Sequence, residues 1–176
     1  MSSLGLPPAS LYRMLMTLQD CRYVVKEANE HYRLSRKILS LGYNALDEAG
    51  VIEKALPVMR KLRDASGETV LAAVLYGSEG VVLEQAVSNQ AVKVTVQPGH
   101  HFPLHTAAPG KAILAFLPED EREKLLESIS YTVFTKASIS NAEEMRKELA
   151  EVAKSGVAYD RGEELEDIRC VGAPVF

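Results

Sequence analysis

Few residues of this 176-residue chain have the type and spacing to do chemistry. Three of its four histidines, His100, His101 and His105, lie close together, a spacing that invites metal ligation. Their loop holds no cysteine or carboxylate, so a polar loop with packed histidines is the better reading, and no metal is expected. Cys170 with His105 as its base would make a thiol nucleophile. However, Ile168-Arg169-Cys170-Val171 reads as a strand with no nucleophile turn, so Cys170 is expected to be a small buried thiol able to touch a ligand. No residue is assigned a catalytic role. Gly110-Lys111 could end a phosphate loop, but His105 stands where the first glycine belongs and Ala112 where a Ser or Thr belongs. The nucleotide reading fails. Asp160 follows Val157-Ala158-Tyr159 and either faces into a sheet or closes a turn with Arg161-Gly162; composition alone favours the turn.

These residues depend on elements that periodicity predicts. Leu11, Met14, Leu15 and Leu18 share one helical face, leaving Tyr12, Arg13, Met16 and Thr17 on the other. Two short β-like runs follow, Arg22–Lys26 and His31–Leu34, joined by four polar residues as a hairpin. Helical patterns are expected over 35–47 and 51–65, the second stopped by Ser66-Gly67. Thr69–Tyr76 and Val81–Val87 read as a hairpin around Gly77-Ser78-Glu79-Gly80, and Val92–Val96 alternates with period two, as a half-buried strand does. Helices are expected over Pro109–Leu117, from Pro118, and from a capping box of Ser140 and Glu143 to Gly156. Val157–Asp160 and Ile168–Phe176 are candidate strands. Strands with interspersed helices make an α+β body.

Composition narrows the function classes. With 47% hydrophobic and 25% charged residues the chain is an ordinary globular one, and no apolar run approaches the ~18 residues of a membrane span. Low aromatic content argues against a single-strand stacking platform. Two cysteines far apart in sequence, and no signal peptide, point to reduced thiols in the cytoplasm. Charge is uneven. Residues 1–40 carry six basic side chains against three acidic ones, and the other 136 carry 14 against 21. A basic head on an acidic body points to a nucleic-acid contact near the N-terminus.

Taken in order, several motifs resemble those of IclR-type bacterial transcriptional regulators. In the head they are Gly5-Leu6-Pro7, Tyr12-Arg13, Thr17-Leu18, Tyr23-Val24 and Tyr32-Arg33-Leu34. In the body they are Pro103-Leu104-His105-Thr106, Gly110-Lys111-Ala112-Ile113-Leu114-Ala115, Gly156–Asp160, Glu163-Glu164 and Arg169–Phe176. The resemblance implies an α+β chain: a partial winged helix-turn-helix head over 1–40, a linker helix over 35–49 and a GAF-like effector-binding domain over 50–176. That domain is expected to have an antiparallel sheet and flanking helices. Such regulators bind operator DNA and a small organic or aromatic acid, form homodimers or homotetramers, need no cofactor or membrane, and are not enzymes.

By resemblance, DNA contacts fall to Pro8, Ser10, Tyr12, Arg13, Thr17 and Arg33. The effector contacts fall to Ala91, Val94, Phe102, His105, Ala108, Gly110, Asp160 and Cys170. The helix after His105 would seat a carboxylate at its N-terminus, with Asp160 accepting a hydroxyl or water at the other end. The chain departs from the family at Pro8-Ala9-Ser10, where Lys-Ser-Thr is usual, and at Pro109. It also starts at the turn before the recognition helix and stops where the family continues with a strand and a helix, so a piece of a regulator truncated at both ends is expected. The competing expectations are a ligand-binding or dimer-forming fragment without sequence-specific DNA binding, and, less favoured, a hydrolase using Cys170 and His105.

Overall fold

A computed structural model describes residues 5–38, 41 and 50–176, which divide into two compact units, Met1–Glu53 and Lys54–Phe176. In the first, α1 (Pro8–Asp20) starts from extended Pro7 with Pro8 at its first position, where a missing N–H costs nothing. The chain leaves α1 through Arg22, whose φ of 62° is left-handed, and enters the hairpin of β1 (Val24–Lys26) and β2 (Tyr32–Leu34). The strands pair antiparallel with Val24 opposite Leu34. Val24 is the buried apolar residue of this unit, whereas α1 buries no residue. On its apolar face Leu11 and Leu15 are half-buried and Met14 and Leu18 exposed. Apart from residues 35–38 and 41, the expected linker helix lies outside the described residues.

The second unit is built around one short helix. Along the chain it contains α2 (Val51–Ser66) from Lys54 onward, β3 (Val70–Tyr76), β4 (Glu79–Ala86), β5 (His101–Pro103), α3 (Ala108–Phe116), α4 (Glu119–Ser128), α5 (Ala142–Ser155), β6 (Ala158–Asp160) and β7 (Cys170–Gly172). A three-stranded antiparallel sheet has the order β3-β4-β5, and β6 and β7 form a separate antiparallel ribbon. Helix α3 touches α5, both strands of the ribbon, and β3 and β4. Its Ala112, Leu114 and Ala115 are buried with Leu104, Leu126, Met145, Leu149 and Ala158 in one apolar cluster. The fold is α+β.

Local details depart from the periodicity reading in four places. The β3–β4 turn has two residues, Gly77 and Ser78, because Tyr76 already pairs with Glu79. The α5 cap sits one residue later than expected. Asn141 accepts from Glu144 N (3.0 Å), and the Glu144 carboxylate reaches back to Ser140 N (3.0 Å). The candidate strand Ile168–Phe176 shrinks to Cys170–Gly172. Most consequential, Val92–Val96 is not a strand. Val92 is 92% exposed, and Val96 N is met by the Gln85 side chain (3.2 Å) rather than by a neighbouring backbone. Alternation marks two faces, but a strand also needs an open partner edge. The free edge of β4 is taken at residues 79–81 by β5, and Val82 exchanges hydrogen bonds with Gly99 and His100.

Close approach at Gly110 seats α3 on the preceding loop. A Cβ there would lie 2.6 Å from the Leu104 Cα and carbonyl oxygen. Those are backbone atoms, so a side chain could be admitted only by moving the helix. Gly110→Ala is therefore expected to destabilise the protein by about 1–3 kcal/mol, the usual cost of overpacking, as read by urea unfolding.

Candidate effector site

The β6–β7 ribbon brings Asp160 and Cys170 together as direct cross-strand partners. Two residues further on, β7 runs against the start of α3. A Cβ at Gly172 would fall 2.8 Å from the carbonyl carbon and oxygen of Ala108, so only glycine lets the ribbon lie this close. Ala108 is fully buried beneath it. The first turn of α3 has no acidic residue and no side-chain cap, so its own residues do not offset the positive end of its dipole.

Each carboxylate and thiol has a defined environment. Asp160 Oδ1 accepts from Gly162 N and Glu163 N, both at 2.9 Å, so this side chain closes the turn that composition favoured. Burial pushes the half-buried Cys170 thiol above its ordinary value. The Asp160 carboxylate beside it adds to the rise, by its charge and as an acceptor. Cys170 is thus held as a protonated thiol, a weak donor and a poor nucleophile.

His105 lies 1% exposed, with Nε2 3.0 Å from the Thr132 carbonyl. A carbonyl only accepts, so Nε2 is the donor, and Nδ1 is buried with no partner among the described residues. The ring packs edge-on to Tyr131 and stacks on Phe134. The hydrogen bond thus ties His105 to a residue 27 positions further along the chain.

The remaining expected contacts divide. Gly110 and Ala108 belong to the buried start of α3, and Phe102 is 7% exposed on β5. Ala91 and Val94 lie on the exposed segment that replaces the expected strand, and the wall they were to supply is absent as a strand.

One pair escaped the sequence reading. The Lys111 side chain is completely buried, donating to Glu163 Oε1 (2.8 Å) with Oε2 at 2.6 Å, and to Glu148 Oε1 (3.3 Å). Arg161 meets the same Glu148 oxygen at 3.0 Å. Burial pushes the Glu163 carboxyl up, and the Lys111 ammonium opposes that rise. The available signal was a lysine at the head of the apolar run Ala112-Ile113-Leu114-Ala115, which demands a counter-ion somewhere in the chain.

In the head, Pro8, Tyr12, Arg13 and Thr17 are exposed on α1, with Ser10 half-buried. The Thr17 hydroxyl turns back to donate to Arg13 O (3.0 Å), and Arg33 on β2 pairs with Glu27 at 3.1 Å. Arg22, Lys26, Arg36 and Lys37 line a concavity with Gln19, Val24, Val25 and Ser35. Lys26 pairs with Glu30, and Lys37 donates to Cys21 O (2.9 Å) and lies over the Tyr23 ring. Among the described residues, no group of three or more His, Cys, Asp or Glu could hold a metal ion, and no helix is long and apolar enough to cross a membrane.

The thiol environments give a direct test. A raised pKa means less thiolate at a given pH, so iodoacetamide at about pH 8 should alkylate exposed Cys21 well before Cys170. Asp160→Asn, which removes the charge but keeps an acceptor for the turn, should speed reaction at Cys170 several-fold. Peptide mass spectrometry of timed samples reads both rates.

Comparison with known proteins agrees with this architecture. The family model for the bacterial transcriptional regulator IclR C-terminal domain matches residues 43–176. The chain is 32% identical over 174 residues to the HTH-type transcriptional regulator XynR of Escherichia coli K12, covering 98% of this chain and 69% of that protein. It is 29% identical over 176 residues to the transcriptional repressor IclR of the same organism, covering 98% and 64%. A solved IclR transcriptional regulator from Alicyclobacillus acidocaldarius superposes with a TM-score of 0.82 at 29% identity, over 98% of this chain and 70% of that one. The buried helix, the ribbon laid on its N-terminus and the helix-plus-hairpin head are thus the parts of a transcriptional regulator, and the chain belongs to the IclR family.

Proposed function

We propose that this chain works as a ligand-responsive transcription factor: the second unit binds a small organic acid, and the first contacts operator DNA. The observation that carries the ligand half is the Asp160–Cys170 pair, set across the ribbon where Gly172 lies on the uncapped start of α3. The positive end of α3 favours a carboxylate. Asp160, an acceptor, and Cys170, a protonated donor, suit a hydroxyl or carbonyl on the same molecule. The ligand class is therefore a hydroxy, keto or hydroxylated aromatic acid, bound unchanged, because the thiol is held protonated.

For the head, exposed Tyr12 and Arg13 on α1 and Arg33 on the hairpin supply base or phosphate contacts, and the Arg22, Lys26, Arg36 and Lys37 surface supplies phosphate attraction. In this reading the protein acts in the cytoplasm as a homodimer or homotetramer, and the two units correspond to a DNA-binding head and an effector domain joined by the segment around residues 35–49.

Thermal-shift titration with short hydroxy, keto and aromatic acids tests the ligand half. A binding acid should lose about 10- to 150-fold in affinity on Asp160→Ala, the scale of a lost charged hydrogen bond. It should lose less on Cys170→Ala. Unchanged binding in both variants would remove the pair from the site. By linkage, an acid that binds must shift DNA affinity if the two are coupled. Fluorescence anisotropy on duplex DNA from upstream of the gene, with and without the acid, reads that coupling.

A further inference from the structure

The nine-residue excursion between the paired Asp160 and Cys170 is held at its inner half by a set of bonds that converge on Glu163. Asp160 Oδ1 grips the Gly162 and Glu163 amides. Thr135 Oγ1 donates to Gly162 O (2.7 Å), and Ser138 Oγ donates to Glu163 O (2.5 Å). Thr106, just before α3, donates to the Glu164 carboxylate (3.3 Å). The Glu163 carboxylate itself points inward to Lys111 on α3, the one Lys or Arg that is buried among the described residues. The outer half differs, with Leu165 62% exposed and Glu166 and Asp167 on the surface.

We propose that Lys111 is a positioning residue for the effector site: through Glu163 its buried ammonium fixes the loop that leaves Asp160 and returns at Cys170, and so sets how those two side chains face each other. The inference rests on the assignment of Asp160 and Cys170 to ligand binding. Its physical basis is that a buried cation cannot exchange its counter-ion for water. As long as Lys111 stays inside, Glu163 must stay with it, and the Gly162 and Glu163 amides stay on Asp160. Remove the ammonium, and the Glu163 carboxylate has every reason to swing out to solvent, drawing those amides off Asp160. Glu148 cannot substitute. It is partly exposed and is shared with Arg161.

The test uses the full chain with Cys21→Ser, so that Cys170 is the sole thiol. Two readouts need no ligand: iodoacetamide alkylation of Cys170, and hydrogen exchange at the Gly162 and Glu163 amides. Lys111→Met should speed both by about tenfold, as local opening becomes easier. Leu126→Ala, a core truncation in α4 outside the loop, controls for lost stability and should leave both rates unchanged at a similar fall in Tm. Lys111→Met with Glu163→Leu should recover Tm by apolar packing without recovering the slow Cys170 rate. Should Lys111→Met fail to fold, Glu163→Gln, which keeps an acceptor for the ammonium, should still raise both rates at least twofold.

Unchanged rates in the folded Lys111 or Glu163 variants, or an equal rise in Leu126→Ala, would overturn the positioning role. The acid titrations of the same variants separate the two claims. If an acid binds the parent, Lys111→Met should weaken it about tenfold, and unaltered affinity also overturns the proposal. If Asp160→Ala and Cys170→Ala leave acid binding untouched, the effector assignment falls, while the effect of Lys111 on the loop is still decided by the alkylation and exchange rates.

Discussion

A lysine ammonium with no access to water sets the strongest single demand on this structure. Withdrawing an ion from water costs several kcal/mol even after relaxation, so Lys111 can stay inside only with a close anion and satisfied protons. Glu163 and Glu148 supply them, from the loop after β6 and from α5. One side chain on α3 thereby ties together the central helix, a flanking helix and the segment that carries Asp160. Apolar packing at Leu114, Met145 and Leu149 would tolerate small slides of one element on another. The ion pair does not, because its attraction depends on contacts near 2.8 Å in a dry setting.

Two glycines make that arrangement sterically possible. Gly110 brings α3 onto the Leu104 backbone, and Gly172 brings β7 onto Ala108 and Pro109. The consequence is functional as well as structural. With no side chain between ribbon and helix, the α3 N-terminus, Asp160 and Cys170 share one small region. A thiol kept protonated by burial and by a neighbouring carboxylate is suited to holding a ligand and unsuited to attacking one. The same chemistry that argues for binding argues against turnover.

The head obeys different rules. Its helix buries nothing and its hairpin is pinned at short range: Ser35 N to Tyr23 O, Lys37 to Cys21 O, and ion pairs inside the hairpin loop. Such a unit presents side chains more than it encloses them. Exposed Tyr12 and Arg13 stand ready for contact, while the Thr17 hydroxyl is spent on its own helix.

Sequence alone was enough for the family and for most of the elements. The α1 face, both hairpins, the α3 and α5 segments and the Gly156 stop were legible because helix and strand periodicities and caps are local properties. The ordered motifs from Gly5 to Phe176 were sufficient for IclR membership. Only tertiary structure decided that Val92–Val96 remains unpaired, that His105 packs against Tyr131 and Phe134, and that Asp160 sits across from Cys170. It also decided the partner of Lys111. A lysine at the head of an apolar run announces that it needs an anion, but its partners lie 37 and 52 residues further along the chain. Which of the 24 acidic residues reaches it depends on how α5 and the ribbon pack on α3, a question of distance in space that local pattern does not encode.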